Sequence, residues 1–300
     1  MIRGGGECNS VMMDDREAKR RVEAAVACRD ADSIPKVPNA GQVRVDEAGN
    51  RVQVMHNGLL VLADGYYGSF TTQIIERLRG HHEPQEEKVF HEVLKVVPPG
   101  SAMLELGAYW AYYSLWFQHV IQGARNFMIE PQRDALECGM RNFQLNGMRG
   151  SFTQAFVGRV SSHEWQKARV QGGSDPVGQV CVKDFVQSKG LDSVGLLHAD
   201  IQGSEYEMLC GCGDLLDQKK IGFVFLSSHS LKLHYQCLRY LAQNGYSIIA
   251  EHTPKESYSE DGLIAASATP DAVPAIRVSR KPVSLRLKWK TSLFKVLYGP

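Results

Sequence analysis

The sequence predicts an α/β protein with a doubly wound, mostly parallel sheet, an antiparallel last strand and a small N-terminal appendage. Short apolar runs alternate five times with amphipathic stretches between residues 102 and 244, the pattern of strands joined by crossover helices. The last two runs, "YSIIAEH" and "GLIAAS", have no helix between them and therefore close the sheet as an antiparallel pair. A length of 300 residues, 43% hydrophobic and 22% charged, suits one large domain with an appendage.

The elements follow in order. Residues 14–30, "DDREAKRRVEAAVACRD", form an exposed amphipathic helix, and the Pro-bearing "SIPKVPNAG" links it to a hairpin, "QVRVDEAGNRVQVM". "EEKVFHEVLKVV" puts Val89, Phe90, Val93, Leu94 and Val97 on one helical face before "PPG" ends it. The alternation then runs through "AMLEL" and a helix over 111–122, and through "NFMIE" and a helix over 132–145. "FTQAFV" is read as a strand leading into a polar loop with Gly172 and Gly173. "VGLLHAD" precedes a helix over 204–216, and "IGFVFLSS" one over 231–244. These divisions give an appendage over 1–65, a main domain over 66–268 and a C-terminal tail over 269–300.

Composition excludes several classes. A net charge of +1 gives no global attraction to nucleic acid. No apolar run reaches the roughly 18 residues of a membrane span, and "MIRGGGECNSVMMDD" lacks the apolar core of a signal peptide. Seven scattered cysteines, with only a lone Cys210-x-Cys212, predict a reduced, cytoplasmic protein. The tail is different: residues 277–300 hold seven Lys or Arg and no acid, interleaved with Leu, Trp, Phe and Tyr. Two readings stand for it, a docked terminal segment with a solvated basic face and a contact with an anionic membrane surface.

In a doubly wound sheet, ligands collect beyond the carboxyl ends of the strands. Those exits are Glu105-Leu106-Gly107, Glu130-Pro131, Ala155 to Gly158, Asp200-Ile201-Gln202-Gly203, and Ser227 to Ser230. Glu130 follows Gly107 by 23 residues, where a carboxylate can accept both ribose hydroxyls of an adenosine. A dinucleotide would need G-x-G-x-x-G for its pyrophosphate, but the corresponding positions are Gly107, Tyr109 and Tyr112. One glycine with a nearby acid suits S-adenosylmethionine, which carries an ammonium, a carboxylate and a sulfonium in place of phosphate.

"MLELGAYWAYYSLWF", "MIEPQRDALECGMRNFQLNG", "LLHADIQGSEYEML" and "SSHS" together resemble the FkbM-type S-adenosylmethionine-dependent methyltransferases, with a Rossmann-like fold, over about residues 56–268. That family commonly shows a D-x-G-A-x-x-G turn, where this chain has Glu105 and Ala111. The resemblance implies methyl transfer, usually to a hydroxyl of a sugar or other natural-product intermediate. It implies that Glu105, Gly107 and Ala108 meet the methionine portion, that Glu130 holds the ribose and that Phe156 borders the adenine. It places Asp200, Gln202 and Glu205 near the methyl group and a small-molecule or glycan acceptor.

Oxygen methylation needs a group that removes the hydroxyl proton. His198, Asp200, Glu205 and His229 stand at strand exits. His198, inside an apolar strand, reads as a satisfied structural histidine. His229 reads equally as a general base assisted by Asp200 and as an incidental neighbour of a helix cap. The fifth strand ends in serines and His229 rather than acids, so no metal is expected, and "GHHEP" reads as an exposed or pocket-lining turn. A non-catalytic cofactor-binding scaffold and an NAD-dependent oxidoreductase are the rival readings.

Overall fold

The computed structural model describes residues 14–166 and 177–283. The chain begins with α1 (Asp15–Val26), whose first turn is capped by the Asp14 carboxylate accepting from the Arg16 N–H at 3.2 Å. A 3-10 turn (Asp30–Ser33) leads into an antiparallel meander of β1 (Val43–Val45), β2 (Arg51–Val54) and β3 (Leu60–Leu62). The hairpin expected from sequence thus gains a third strand. Next come α2 (Ser69–Arg77), which the sequence reading passed over, and α3 (Pro84–Leu94), which opens on proline where a missing N–H costs nothing.

The alternation continues through β4 (Ala102–Leu106), α4 (Tyr112–Val120), β5 (Arg125–Ile129) and α5 (Arg133–Leu145). After β6 (Ser151–Thr153) and β7 (Phe156–Val157) come β8 (Ser162–Gln166), β9 (Val177–Val180) and α6 (Val182–Ser188). The rest is β10 (Val194–Ala199), α7 (Glu205–Gly211), α8 (Asp214–Asp217), β11 (Ile221–Ser228), α9 (Leu231–Gln243), β12 (Ser247–His252) and β13 (Gly262–Ser267).

Seven strands build the main sheet in the order β12-β13-β11-β10-β4-β5-β6. From β11 to β6 all neighbours are parallel, while β13 is antiparallel to both β11 and β12. The antiparallel last strand is therefore present, inserted one place inside the edge. Its neighbours bury alternate residues on opposite faces. Met103, Met128, Leu196 and Phe225 face the layer of α3 and α4, whereas Leu104, Ile129, Leu197 and Val224 face that of α6, α7 and α9. Met55 and Val61 of the meander region pack into the first of these layers.

Two differences from the sequence reading have identifiable causes. "FTQAFV" splits, because β6 pairs with β5 in the main sheet while β7 joins a separate three-stranded sheet in the order β7-β9-β8. Those strands have two to five residues and distant partners, too short for a periodic signal. The helix expected over 204–216 breaks into α7 and α8 at Gly213, whose φ of 55° is left-handed. Gly172 and Gly173 lie outside the described residues, as does most of the basic tail. Its first residues dock on the body: the Ser279 N–H donates to Asp30 at 2.6 Å and Arg280 pairs with Glu251. Among the described residues no helix is long and apolar enough to cross a membrane.

Candidate functional site

Strand order reverses between β4 and β10, so their carboxyl ends diverge into a crevice. A cleft of about 740 Å³ opens there, reaching the exits of β5 and β7, within the range of small-molecule sites. All of Glu105, Gly107, Ala108, Glu130, Phe156, Asp200 and Gln202 line it, so the structure brings the seven expected cofactor-binding residues to one place.

The turn after β4 has little to offer a phosphate. The N–H groups of Gly107 and Ala108 both donate to the Ile129 carbonyl, at 2.8 and 3.2 Å, and that of Ala111 donates to Ala108 at 2.6 Å. The Tyr109 N–H donates to Glu130 Oε2 at 3.1 Å. With these donors engaged and a carboxylate beside them, a pyrophosphate would meet repulsion, which disfavours a dinucleotide. Gly107 has a different reason from close ligand approach. A Cβ there would stand 1.8 Å from the Asp200 carbonyl oxygen, so the glycine lets the β4 and β10 exits pass each other. Ala111, where the resembling family has glycine, adopts a left-handed φ of 58° at the start of α4.

Glu105 is buried and accepts from the Ser114 N–H at 3.0 Å, bracing the first turn of α4 beside the cleft. Glu130 accepts two backbone donors, Tyr109 and Gln132 (2.8 Å), leaving its other lone pairs for a ligand. Burial pushes the Glu130 carboxyl up to about 7, against the pull of those two N–H donors.

A second cavity of about 320 Å³ shares a wall with the cleft, formed by Tyr66, Tyr67, His82, Glu83, Asp200 and Gln202. Its far side comes from Arg21 of α1 and from Tyr258 to Asp261, in the connection between β12 and β13. Tyr66 stacks on Trp110 with centroids 4.6 Å apart and meets Tyr109 edge-on at 5.1 Å, giving the common wall an aromatic surface. His82 is lodged among Tyr66, Trp110, Tyr112 and Tyr113. Burial opposes its charge, but Glu83 and Glu87 prevail and hold its pKa up at about 10. "GHHEP" is therefore pocket-lining, and His82 and Glu83 belong to the site although the sequence reading assigned them no role. The signal was its density of titratable residues.

Asp200, Glu205 and His229 also meet. His229 Nε2 lies 3.1 Å from Asp200 Oδ1 and 3.4 Å from Asp261 Oδ1, and Nδ1 lies 3.0 Å from Glu205 Oε1. Asp261 carried no recognisable motif. Burial opposes charge on the ring, but the surrounding carboxylates outweigh it and raise the His229 pKa to about 10. Carboxylates at both ring nitrogens thus favour the charged form over the neutral imidazole expected of a free base. Burial first, and then Asp200, push the Asp261 carboxyl up to about 7. His198 Nε2 pairs with Glu86 Oε1 at 2.7 Å, whereas its buried Nδ1 has no hydrogen-bond partner and the residue lines the cleft, so it is only half satisfied.

The doubly wound sheet, the occupied turn and the acid-lined cleft fit a methyltransferase that takes its methyl group from S-adenosylmethionine, and the family match shows that class. The family profile described as "Methyltransferase FkbM domain" matches residues 97–248, just over half the chain. The chain belongs to the FkbM methyltransferase family. No curated protein matches it at a significant level. Similar solved structures include the precorrin-6y C5,15-methyltransferase of Geobacter metallireducens GS-15, at 16% identity over 60% of this chain and 87% of that one, with a TM-score of 0.37. The TrmK of M. capricolum, solved with S-adenosyl-homocysteine, is 14% identical over 70% of this chain and 80% of that one, with a TM-score of 0.36. The METTL16 methyltransferase domain is 12% identical over 73% and 86%, with a TM-score of 0.45.

Proposed function

We propose that this methyltransferase acts on oxygen, at a hydroxyl of a sugar or natural-product intermediate, with donor in the larger cleft and acceptor in the smaller cavity. The observation that carries the reading is the shared wall: Asp200 lines both cavities and sits in a cluster of carboxylates. The residues present fit the donor. Glu130 offers acceptor lone pairs to the two ribose hydroxyls, Phe156 and Val157 offer an apolar border to the adenine, and Glu105 with the turn at Gly107 and Ala108 faces the methionine portion. S-adenosylmethionine supplies, when bound, an electrophilic methyl group on its sulfonium.

The chain supplies position and a proton acceptor. Tyr66 and Tyr67 line the smaller cavity and offer aromatic surface and hydroxyls suited to a sugar or a similar polar ring. One carboxylate of the Asp200–Asp261 pair accepts the single hydroxyl proton, and His229 holds the two in place. Gln202 donates to Asp200 Oδ1 at 3.0 Å and fixes its rotamer.

The reading is tested by mass spectrometry of cell extracts with and without the protein, followed by incubation of the purified chain with the affected compound. The expected product is heavier by one CH₂ and carries the methyl group on oxygen. Cofactor binding without a methylated product in any fraction would favour the scaffold reading, and methylation at nitrogen or carbon would overturn the choice of oxygen.

Glu130 gives a separate prediction. Loss of charge-assisted hydrogen bonds costs about 1.5–3 kcal/mol, so Glu130→Ala should weaken S-adenosylmethionine binding roughly ten- to a hundredfold. The pH dependence has a definite sign. The Glu130 carboxyl is held up at about 7, and hydroxyl donors favour its ionised form, so affinity should rise as pH increases through about 7 and then level off. Calorimetry between pH 6 and 8.5 measures both effects. An affinity unchanged by the substitution would remove Glu130 from the site.

A further inference from the structure

The arrangement around His229 is unusual for an ion-paired imidazolium. Its ring nitrogens lie 3.0–3.4 Å from three carboxylate oxygens, yet neither nitrogen makes a hydrogen bond of acceptable distance and angle. An imidazolium stabilised by these acids would aim its N–H groups along the ring plane at the oxygens. Glu205 sharpens the point. It is wholly buried, its Oε1 accepts from the Ile201 and Gly203 N–H groups, and its Oε2 has no donor. A buried carboxylate with a spare oxygen beside a histidine and a second acid is a set of electron-pair donors lacking its acceptor.

The spacing matches a metal's requirements. Oxygen and nitrogen ligands about 2.1 Å from one cation and at right angles to each other lie about 3 Å apart. One donor atom from each of Asp200, Glu205 and His229 falls within 4.8 Å of the other two, and around the single nitrogen Nε2 the Asp200 and Asp261 oxygens stand at 3.1 and 3.4 Å, near that spacing. Three separate elements deliver these residues: the end of β10, the first residue of α7 and the turn after β11. We propose that Asp200, Glu205 and His229 form a divalent-cation site, completed on the cavity side by Asp261, that takes Mg²⁺ or Mn²⁺.

Carboxylate oxygens with one imidazole suit these harder cations. Asp200 and Asp261 both line the smaller cavity, so the ion is within reach of a bound acceptor and of water as further ligands. Its role there is to polarise the acceptor hydroxyl, which rests on the O-methylation reading; its binding does not. A second cluster, His56, His81 and Glu87, lacks this character. Its two rings stack 4.3 Å apart at 16°, so their in-plane lone pairs run side by side, and His56 Nδ1 is engaged by the Tyr112 hydroxyl at 2.9 Å.

The test is titration of the chelator-treated full chain with Mn²⁺, following the electron paramagnetic resonance signal of the free ion. Saturable binding of one Mn²⁺ per chain, displaced by Mg²⁺, is expected. His229→Ala and Asp261→Asn should each weaken it by about tenfold or more, and Glu92→Gln, an exposed acid on α3, should leave it intact. Asp261 is part-exposed, so its variant reports binding even if His229→Ala fails to fold. Absence of saturable binding, or equal binding by all variants, overturns the site. Methylation is assayed separately with EDTA. A bound ion with no O-methylated product upholds the site and counts against the O-methylation reading instead.

Discussion

His229→Ala is expected to lose roughly 10²- to 10⁴-fold in turnover while keeping its affinity for S-adenosylmethionine, the scale on which proton removal by positioned groups contributes. The ring lines neither cavity, so removing it deletes no contact with the donor. It stands between Asp200 and Asp261 on one side and Glu205 on the other, and on the O-methylation reading its removal should leave these acids to repel one another and lose their aim at the acceptor. The same substitution strands Glu205, a buried carboxylate, and breaking a buried pair costs about 3–5 kcal/mol. Low activity alone would therefore not separate positioning from folding. The double variant His229→Ala/Glu205→Gln does so. The amide oxygen can still accept from the Ile201 and Gly203 N–H groups, and the stranded charge is gone. Stability should recover by thermal melting, while turnover at saturating donor stays below that of the single Glu205→Gln variant, which carries the same change at Glu205. Recovery of both would make His229 a structural residue only.

The second large effect is on folding. Gly107→Ala adds a Cβ that would sit 1.8 Å from the Asp200 carbonyl oxygen, at a φ of 72°. Side-chain rotation cannot relieve a clash between a Cβ and backbone. Left-handed strain of about 1–2 kcal/mol adds to an overpacking cost of about 1–3 kcal/mol or more. The expected loss is about 2–5 kcal/mol, a fall of roughly five to ten degrees in Tm for a chain of this size. Gly203 is the comparison: its φ is 101°, but a Cβ there meets nothing within 4 Å. Gly203→Ala should cost only the backbone strain. Equal melting of the two variants would show that the β4 and β10 exits are not in close contact. If Gly107→Ala folds, donor binding should still fall, because the displaced Asp200 and the turn both line the cleft.

The sequence by itself determined the parallel core and the positions of its exits. Strands such as "AMLEL" and "IGFVFLSS" must be apolar to be buried between two helical layers, and the acids that follow them stand out against that background. The place of Glu130 at the end of β5, and the exclusion of a phosphate by the turn at Gly107, were legible for the same reason. The short strands β7, β8 and β9 were not, because their pairing is set by distant partners and not by local periodicity. Only the tertiary structure brought Asp261 to His229 and made His82 and Arg21 part of a second cavity. It also surrounded His229 with carboxylates that favour its charged form. A histidine's charge is fixed by the balance of burial against neighbouring carboxylates. Those neighbours come from three different strand exits and connections, which no stretch of sequence holds together.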